Sequence, residues 1–145
     1  MLTLELADRM VEGALKAARE RKAMPIAVLV LDAGGHPVAF KREDRASLFR
    51  FDIARAKAMG ALGMGADTRE LAGRAAVNPT FLITVAMATG GSLALSPGGV
   101  LIRDSAAGIL GAMGISGDTG DVDEQCAISA IIGAGLSVAD GLRIA

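Results

Sequence analysis

Four acidic residues crowd a short glycine-rich stretch near the end of the chain, GAMGISGDTGDVDEQCA, residues 111–127. Asp118, Asp121, Asp123 and Glu124 lie where an apolar segment turns into a predicted helix. Carboxylates at such a place either cap the helix or, when they are partly buried, act as proton shuttles in general acid–base chemistry. Asp123 and Glu124 are therefore candidate catalytic residues.

Two other catalytic patterns are absent from this stretch. A phosphate-binding loop ends in Gly-Lys-Ser/Thr, and four carboxylates at the start of the helix would repel an anion. The nucleophile elbow of serine hydrolases needs Gly-x-Ser-x-Gly, whereas here Gly117 follows Ser116 directly. The spacing of Asp121 and Glu124 matches a capping box, which predicts Asp121 as the N-cap of the last helix.

Metal ligands are few in this chain. His36 is the only histidine and Cys126 the only cysteine, so the chain cannot form an intrachain disulfide or a thiolate-rich zinc site. The imidazole of His36 is a candidate iron ligand, although its place in a hairpin turn is also typical of a solvated histidine. Cys126 lies on an apolar helical run and is predicted to be a core residue. No metal site is predicted.

The apolar periodicity predicts helices and strands in an order typical of an α+β domain with an antiparallel sheet. Thr3 caps the first helix, Asp67 with Glu70 forms a second capping box, and residues 79–88 are ambiguous between helix and strand. The predicted elements are a helix after Thr3, strands at Pro25–Leu31 and Pro37–Lys41, a helix from Ser47 to about Leu62 with Leu48 and Phe51 inward, a short helix after Asp67, strands at Gly99–Arg103 and Gly108–Ile115, and a helix from Val122 to about Val138.

The composition limits the class of protein. A length of 145 residues, 52% of them apolar, is enough for one domain spanning residues 1–145. The net charge of −1 and the absence of Trp and Tyr argue against a nucleic-acid partner. The N-terminal segment carries charges along its whole length, unlike a signal peptide, and the lone cysteine suits a reducing compartment, so we expect a cytoplasmic protein.

One long segment, Ala75–Ile102, has no charged residue. Asn78, Pro79 and several glycines and serines interrupt it well before the roughly 20 apolar positions that a membrane span requires. We therefore expect no membrane partner. The segment, together with a largely apolar last helix, instead predicts a homo-oligomer in which copies of the chain cover this surface.

Three segments resemble a known family, the haem-binding proteins named for GlcG and HbpS and also described as haem-degrading: DAGGHPVAFKREDRASLFRFDIARAKAMGAL, LSPGGVLIRDSAAGILGAMGISG and DVDEQCA. The shared marks are an Asp-x-Gly-Gly hairpin, Ala-x-x-Lys-Ala, Pro-Gly-Gly and Gly-x-x-Gly-x-Ser-Gly followed by Asp-Glu. The resemblance implies a profilin-like sandwich that assembles into higher homo-oligomers and binds haem, a tetrapyrrole, in haem handling or a redox response. The chain departs from the family pattern at Arg42-Glu-Asp-Arg45-Ala46, where Arg-Met-Asp-Gly-Ala is common.

Arginine and lysine side chains, which bind carboxylates, are the candidate contacts for the haem propionates or for a small organic acid. They are Arg42, Arg45, Arg50, Arg55, Lys57 and Arg103. Arg42 and Lys57 are the favoured pair because they lie in the family-like segments, and His36 is the candidate axial ligand. A strand rises about 3.3 Å per residue, which separates His36 from Arg42 by roughly 20 Å, too far for one haem to contact both within one protomer.

Two alternative functions remain open at the level of sequence. The first is a hydratase, lyase or tautomerase in which Arg42 or Lys57 holds an organic acid and Asp123 or Glu124 moves a proton. The second is a structural module whose apolar faces serve assembly alone.

Overall fold

The computed structural model describes residues 1–145 as five helices around one four-stranded antiparallel sheet. The predicted α+β sandwich, an antiparallel sheet flanked by helices, is confirmed. Along the sheet the strands follow the order β2-β1-β4-β3. The elements are α1 (Leu4–Glu20), β1 (Ala27–Asp32), β2 (Pro37–Arg42), α2 (Arg50–Met64), α3 (Thr68–Val77), α4 (Pro79–Ala88), β3 (Gly99–Arg103), β4 (Ile109–Ser116) and α5 (Gly120–Gly133).

The two faces of the sheet build two separate cores. Side chains alternate along each strand, so Val28 and Val30 of β1 pack under α1 and α5, while Leu29 and Leu31 pack under α2. Helices on both sides explain why β1 is a continuous apolar run. Cys126 is fully buried in the first core, as predicted, and burial raises its thiol pKa to about 11.

Small residues let α2 approach the sheet closely. Ala54, Ala58 and Ala61 form the face of α2 that meets β4. At Gly114 of β4, an added Cβ would overlap the carbonyl oxygen of Ala54 and lie 3.1 Å from Ala58 Cβ. Only glycine fits at this crossing.

The start of α2 differs from the prediction. The helix begins at Arg50 rather than Ser47, because residues 43–50 first make two tight turns, Ala46 N to Glu43 O and Arg50 N to Ser47 O. Leu48 is 83% exposed and Phe51 is 37% exposed, so the expectation that both point inward was wrong. Their apolar surface is left facing solvent.

Neither predicted capping box forms, because Thr119 caps α5 and the carboxylate of Asp67 binds a distant partner. Thr119, not Asp121, is the N-cap of α5, and its Oγ1 accepts from Val122 N at 3.3 Å. Asp67 occupies the N-cap position of α3, but its carboxylate accepts from Leu101 N of β3 at 2.7 Å. Thr3 caps α1 as predicted, accepting from Leu6 N.

The ambiguous segment folds as helix α4, and the last helix ends at Gly133 rather than near Val138. Of the α4 side chains only Leu82 is buried, while Phe81, Ile83 and Met87 are each more than half exposed. No helix combines the length and apolar character that crossing a membrane would require.

Candidate functional site

A buried ion pair joins α2 to the start of α5. Lys57 Nζ lies 3.1 Å from Asp123 Oδ2 and 2.9 Å from the carbonyl oxygen of Ile115, and both charged side chains are at most 3% exposed. The other carboxylate oxygen of Asp123 accepts from Asp118 N at 3.0 Å. The ammonium and carboxylate groups are therefore held by protein partners on both sides.

Burial has the largest influence on both members of this pair. It lowers the pKa of Lys57 and raises the pKa of Asp123, because each charged form loses its water. The attraction between the two groups opposes both shifts. Asp123 is thus a buried carboxylate with a raised pKa, as expected of a proton shuttle, but it is also the counter-ion of Lys57.

Glu124, the second candidate proton shuttle, is bound by a cation from another helix. Both of its carboxylate oxygens lie 2.9 Å from Arg69 Nε, and Arg69 also pairs with Asp121. This arginine ties the start of α3 to the start of α5. Sequence reasoning did not single out Arg69, since nothing near it in the chain marks a partner 55 residues away.

Ser116 lies beside the ion pair, next to Ile115 in the chain. The sequence around it does not match the nucleophile elbow of serine hydrolases. Ser116 is 1% exposed, and its Oγ accepts from Arg50 Nη1 at 3.1 Å. Arg50 and Lys57 lie close enough for the positive charge of Arg50 to lower the pKa of Lys57 further. The hydroxyl is used to bind an arginine at the first turn of α2.

The favoured arginine, Arg42, is exposed at the end of edge strand β2, two strands away from Ser116 in the sheet. Its Nη1 donates to the carbonyl oxygens of Glu43 and Ala46, at 3.3 and 3.0 Å. Arg42 and Phe40 face the α2 side of the sheet, since they are paired with Ala27 and Leu29 of β1. Arg42 and Lys57, the favoured pair, therefore differ in solvent access, since Arg42 is exposed and Lys57 is buried.

An aromatic surface lies next to Arg42. The rings of Phe40 and Phe51 meet edge to face, with centroids 4.9 Å apart, and each side chain keeps more than a third of its surface exposed. Leu48 and Phe49, in the turn before α2, are 83% and 66% exposed. We call these four side chains the aromatic face. The sequence did not indicate this surface, because Phe51 fits the inward period of a helix and Phe40 fits a strand.

His36 and Arg103 occupy two further, separate places. His36 is exposed in the β1–β2 hairpin, where its Nδ1 lies 3.2 Å from Asp32 Oδ1 and its Nε2 has no protein partner. Arg103, at the end of β3, donates weakly to the Ala107 carbonyl at 3.4 Å, and its buried Nε has no acceptor. No group of three or more His, Cys, Asp or Glu side chains forms a metal-binding cluster.

The sequence of this chain matches the model of a known protein family. The model of the haem-degrading HbpS-like proteins matches residues 2–132. The chain belongs to the HbpS-like family. No curated protein sequence matches it significantly.

Solved structures agree with this assignment. HbpS is 29% identical, with a TM-score of 0.77 over 90% of this chain and 88% of its own. The ORFY protein of Klebsiella pneumoniae is 27% identical, with a TM-score of 0.82 over 92% and 90%. A haem complex of PduOC, at 24% identity, shares the fold with a TM-score of 0.84 over 94% and 96%.

In this HbpS-like chain, three of the separated family-like motifs meet at the buried ion pair. Lys57 comes from Ala-x-x-Lys-Ala, and Asp123 from the Asp-Glu that follows the last glycine-rich turn. A Cβ built on Gly98 of the Pro-Gly-Gly motif would lie 2.7 Å from Lys57 Nζ, so this turn packs directly against the pair. These motifs therefore fix the fold where α2, β3 and α5 meet.

Proposed function

We propose that this HbpS-like protein binds haem on the aromatic face, with Arg42 contacting the propionates. Family membership carries the proposal, and the structure supports it with a surface of suitable chemistry. A porphyrin is flat and apolar with carboxylates at one edge, and the aromatic face offers exposed rings beside an arginine. Exposed large apolar side chains, such as the Phe40–Phe51 ring pair, favour a binding surface here.

The burial of each candidate decides which residues enter the proposal. Lys57 is buried and already paired, so its ammonium group is assigned to the fold rather than to the propionates. Asp123 and Glu124 are buried and each binds a cation, so we assign them no substrate. We further propose a role in haem handling in the cytoplasm.

Titration with haemin, followed by the Soret absorbance, tests the site. We expect Arg42→Ala and Phe40→Ala each to raise the Kd about 5- to 10-fold, since each removes about 1 kcal/mol of contact. His36→Ala is expected to change the Kd for haemin less than about twofold, because His36 and Arg42 are separated by roughly 20 Å along the strand. Lys16→Ala, on the outer face of α1, is the matched control. If only His36→Ala abolishes the Soret shift, axial ligation carries the affinity instead.

We also propose that α4 mediates a homo-oligomer. This helix has no charged residue and exposes Phe81, Ile83 and Met87, so a second copy can cover it without like-charge repulsion. Met87→Glu is expected to lower the mass measured by light scattering at micromolar concentration, because it buries an unpaired charge in the interface. Leu4→Glu, at an exposed apolar position on α1, is expected to leave the mass unchanged. A monomeric wild-type protein contradicts the proposal.

A further inference from the structure

A polar cavity of about 610 Å³ lies beside the end of β2, next to Arg42. Three guanidinium groups and two carboxylates line it together with one proline, which leaves the cavity with one net positive charge. The lining residues are Arg19, Pro25, Arg42, Glu43, Asp44 and Arg45. We call it the arginine cavity.

Two of its charged groups are committed to each other. Arg19 Nε lies 2.9 Å from Glu43 Oε2, and Glu43 Oε1 also accepts from Ile26 N at 2.9 Å. This pair forms a wall with little remaining binding capacity. Arg42 is oriented by two backbone carbonyls through Nη1 alone, so its Nε and Nη2 remain available.

Arg45 differs from the other two arginines. Its side chain is exposed and makes no hydrogen bond or ion pair within the protein, so all of its donors are available to a ligand. Its backbone has φ of 71°, in the left-handed region that glycine adopts freely and a residue with a side chain adopts only against a steric penalty. What distinguishes Arg45 from other exposed cations is that its unpaired guanidinium lines the same cavity as Arg42, so both can donate to one ligand.

We infer that the arginine cavity is a carboxylate-binding subsite in which Arg42 and Arg45 donate to the ligand. The planar forks of two guanidinium groups match the two oxygens of a carboxylate. A single net positive charge, with Asp44 close by, suits a carboxylate better than a doubly charged phosphate. Because Arg42 also borders the aromatic face, the carboxylate belongs to a haem propionate; this assignment of the source rests on the proposed function.

The decisive variant is Arg45→Gly, which removes the guanidinium and relieves the backbone strain. Lys22→Gly is a matched control, because Lys22 is also an exposed cation with positive φ, 55°, and does not line the cavity. Both variants are expected to melt at or above the wild-type temperature. Three probes are titrated into each protein: haemin, its dimethyl ester and succinate.

We expect Arg45→Gly to weaken haemin binding about 5- to 20-fold, which corresponds to about 1–2 kcal/mol for a solvent-exposed contact with a carboxylate. Lys22→Gly is expected to change the Kd less than about twofold. The dimethyl ester, which lacks the carboxylates, is expected to bind wild type and Arg45→Gly equally. If succinate binds and its binding depends on Arg45, the subsite is supported, and a free dicarboxylate is then the source of the bound carboxylate.

The subsite and the proposed function fail in different ways. If Arg45→Gly binds haemin and succinate with affinities within twofold of those of wild type, the subsite is wrong, even though haemin binds. If haemin binds to no variant, wild type included, the proposed function is wrong. In that case Arg45-dependent succinate binding supports the subsite, and its absence overturns it.

Discussion

Lys57→Met is expected to lower the free energy of unfolding by about 3–5 kcal/mol, the usual cost of removing one member of a buried ion pair. The substitution leaves Asp123 charged or forces it to take up a proton in a site that is 1% exposed. It also leaves the carbonyl oxygen of Ile115 without its donor. Chemical denaturation at pH 7 measures this loss of unfolding free energy. The dependence of that free energy on denaturant concentration must be the same in the variant and in wild type.

Two controls separate the ion pair from the general effect of losing a lysine. Lys16→Met removes an exposed lysine whose partner Glu20 lies 3.7 Å away, and we expect a change of less than about 0.5 kcal/mol. The double variant Lys57→Met/Asp123→Asn removes both charges. It is expected to recover most of the lost stability, because no buried charge is then left without water or a partner. A single variant within about 1 kcal/mol of wild type would show that water or another cation compensates for Lys57.

Gly114→Ala is the second large expected effect, about 3 kcal/mol or failure to fold. The added methyl group would overlap the Ala54 carbonyl oxygen and crowd Ala58, both in the middle of α2. Backbone atoms inside a helix cannot move aside as a flexible side chain can, so α2 must shift from the sheet. Thermal unfolding followed by far-ultraviolet circular dichroism reports the stability, and amide hydrogen exchange in α2 reports the packing.

Gly63→Ala is the matched control for this prediction. Gly63 lies in α2 itself, but nothing comes within 4 Å of a Cβ built there. Alanine at an exposed helical position is expected to stabilise the protein by about 0.8 kcal/mol. Equal effects of the two substitutions would mean that the crossing of α2 and β4 accepts a methyl group and that the close approach does not restrict Gly114.

Local patterns in the chain were enough to predict the fold class. The helix capped by Thr3, the hairpin after Asp32 and the strand Gly99–Arg103 follow from periodicity, capping and turn residues that act within a few positions of each other. The family-like motifs were recognisable for the same reason, because each is a short run of residues that fits one local geometry.

The roles of individual charges depended on contacts between distant parts of the chain. Asp67 and Asp121 match local capping patterns, yet Leu101 N and Arg69 bind them in the folded protein. Periodicity likewise assigned Phe51 to the interior, whereas the turns before α2 place it in an exposed aromatic pair with Phe40. A local rule cannot include a partner that only folding brings near.

The sequence by itself therefore determined the order of the elements other than α4, the buried strands and the family, because spacing along the chain encodes each of these. Only the tertiary structure decided that Lys57 and Asp123 are buried together and that Arg42 and Arg45 share a cavity. Lys57 and Asp123 are 66 residues apart, and their pairing arises where α2 crosses β4. Whether a charge belongs to the core or to a binding surface depends on its solvent access, which sheet and helix packing sets.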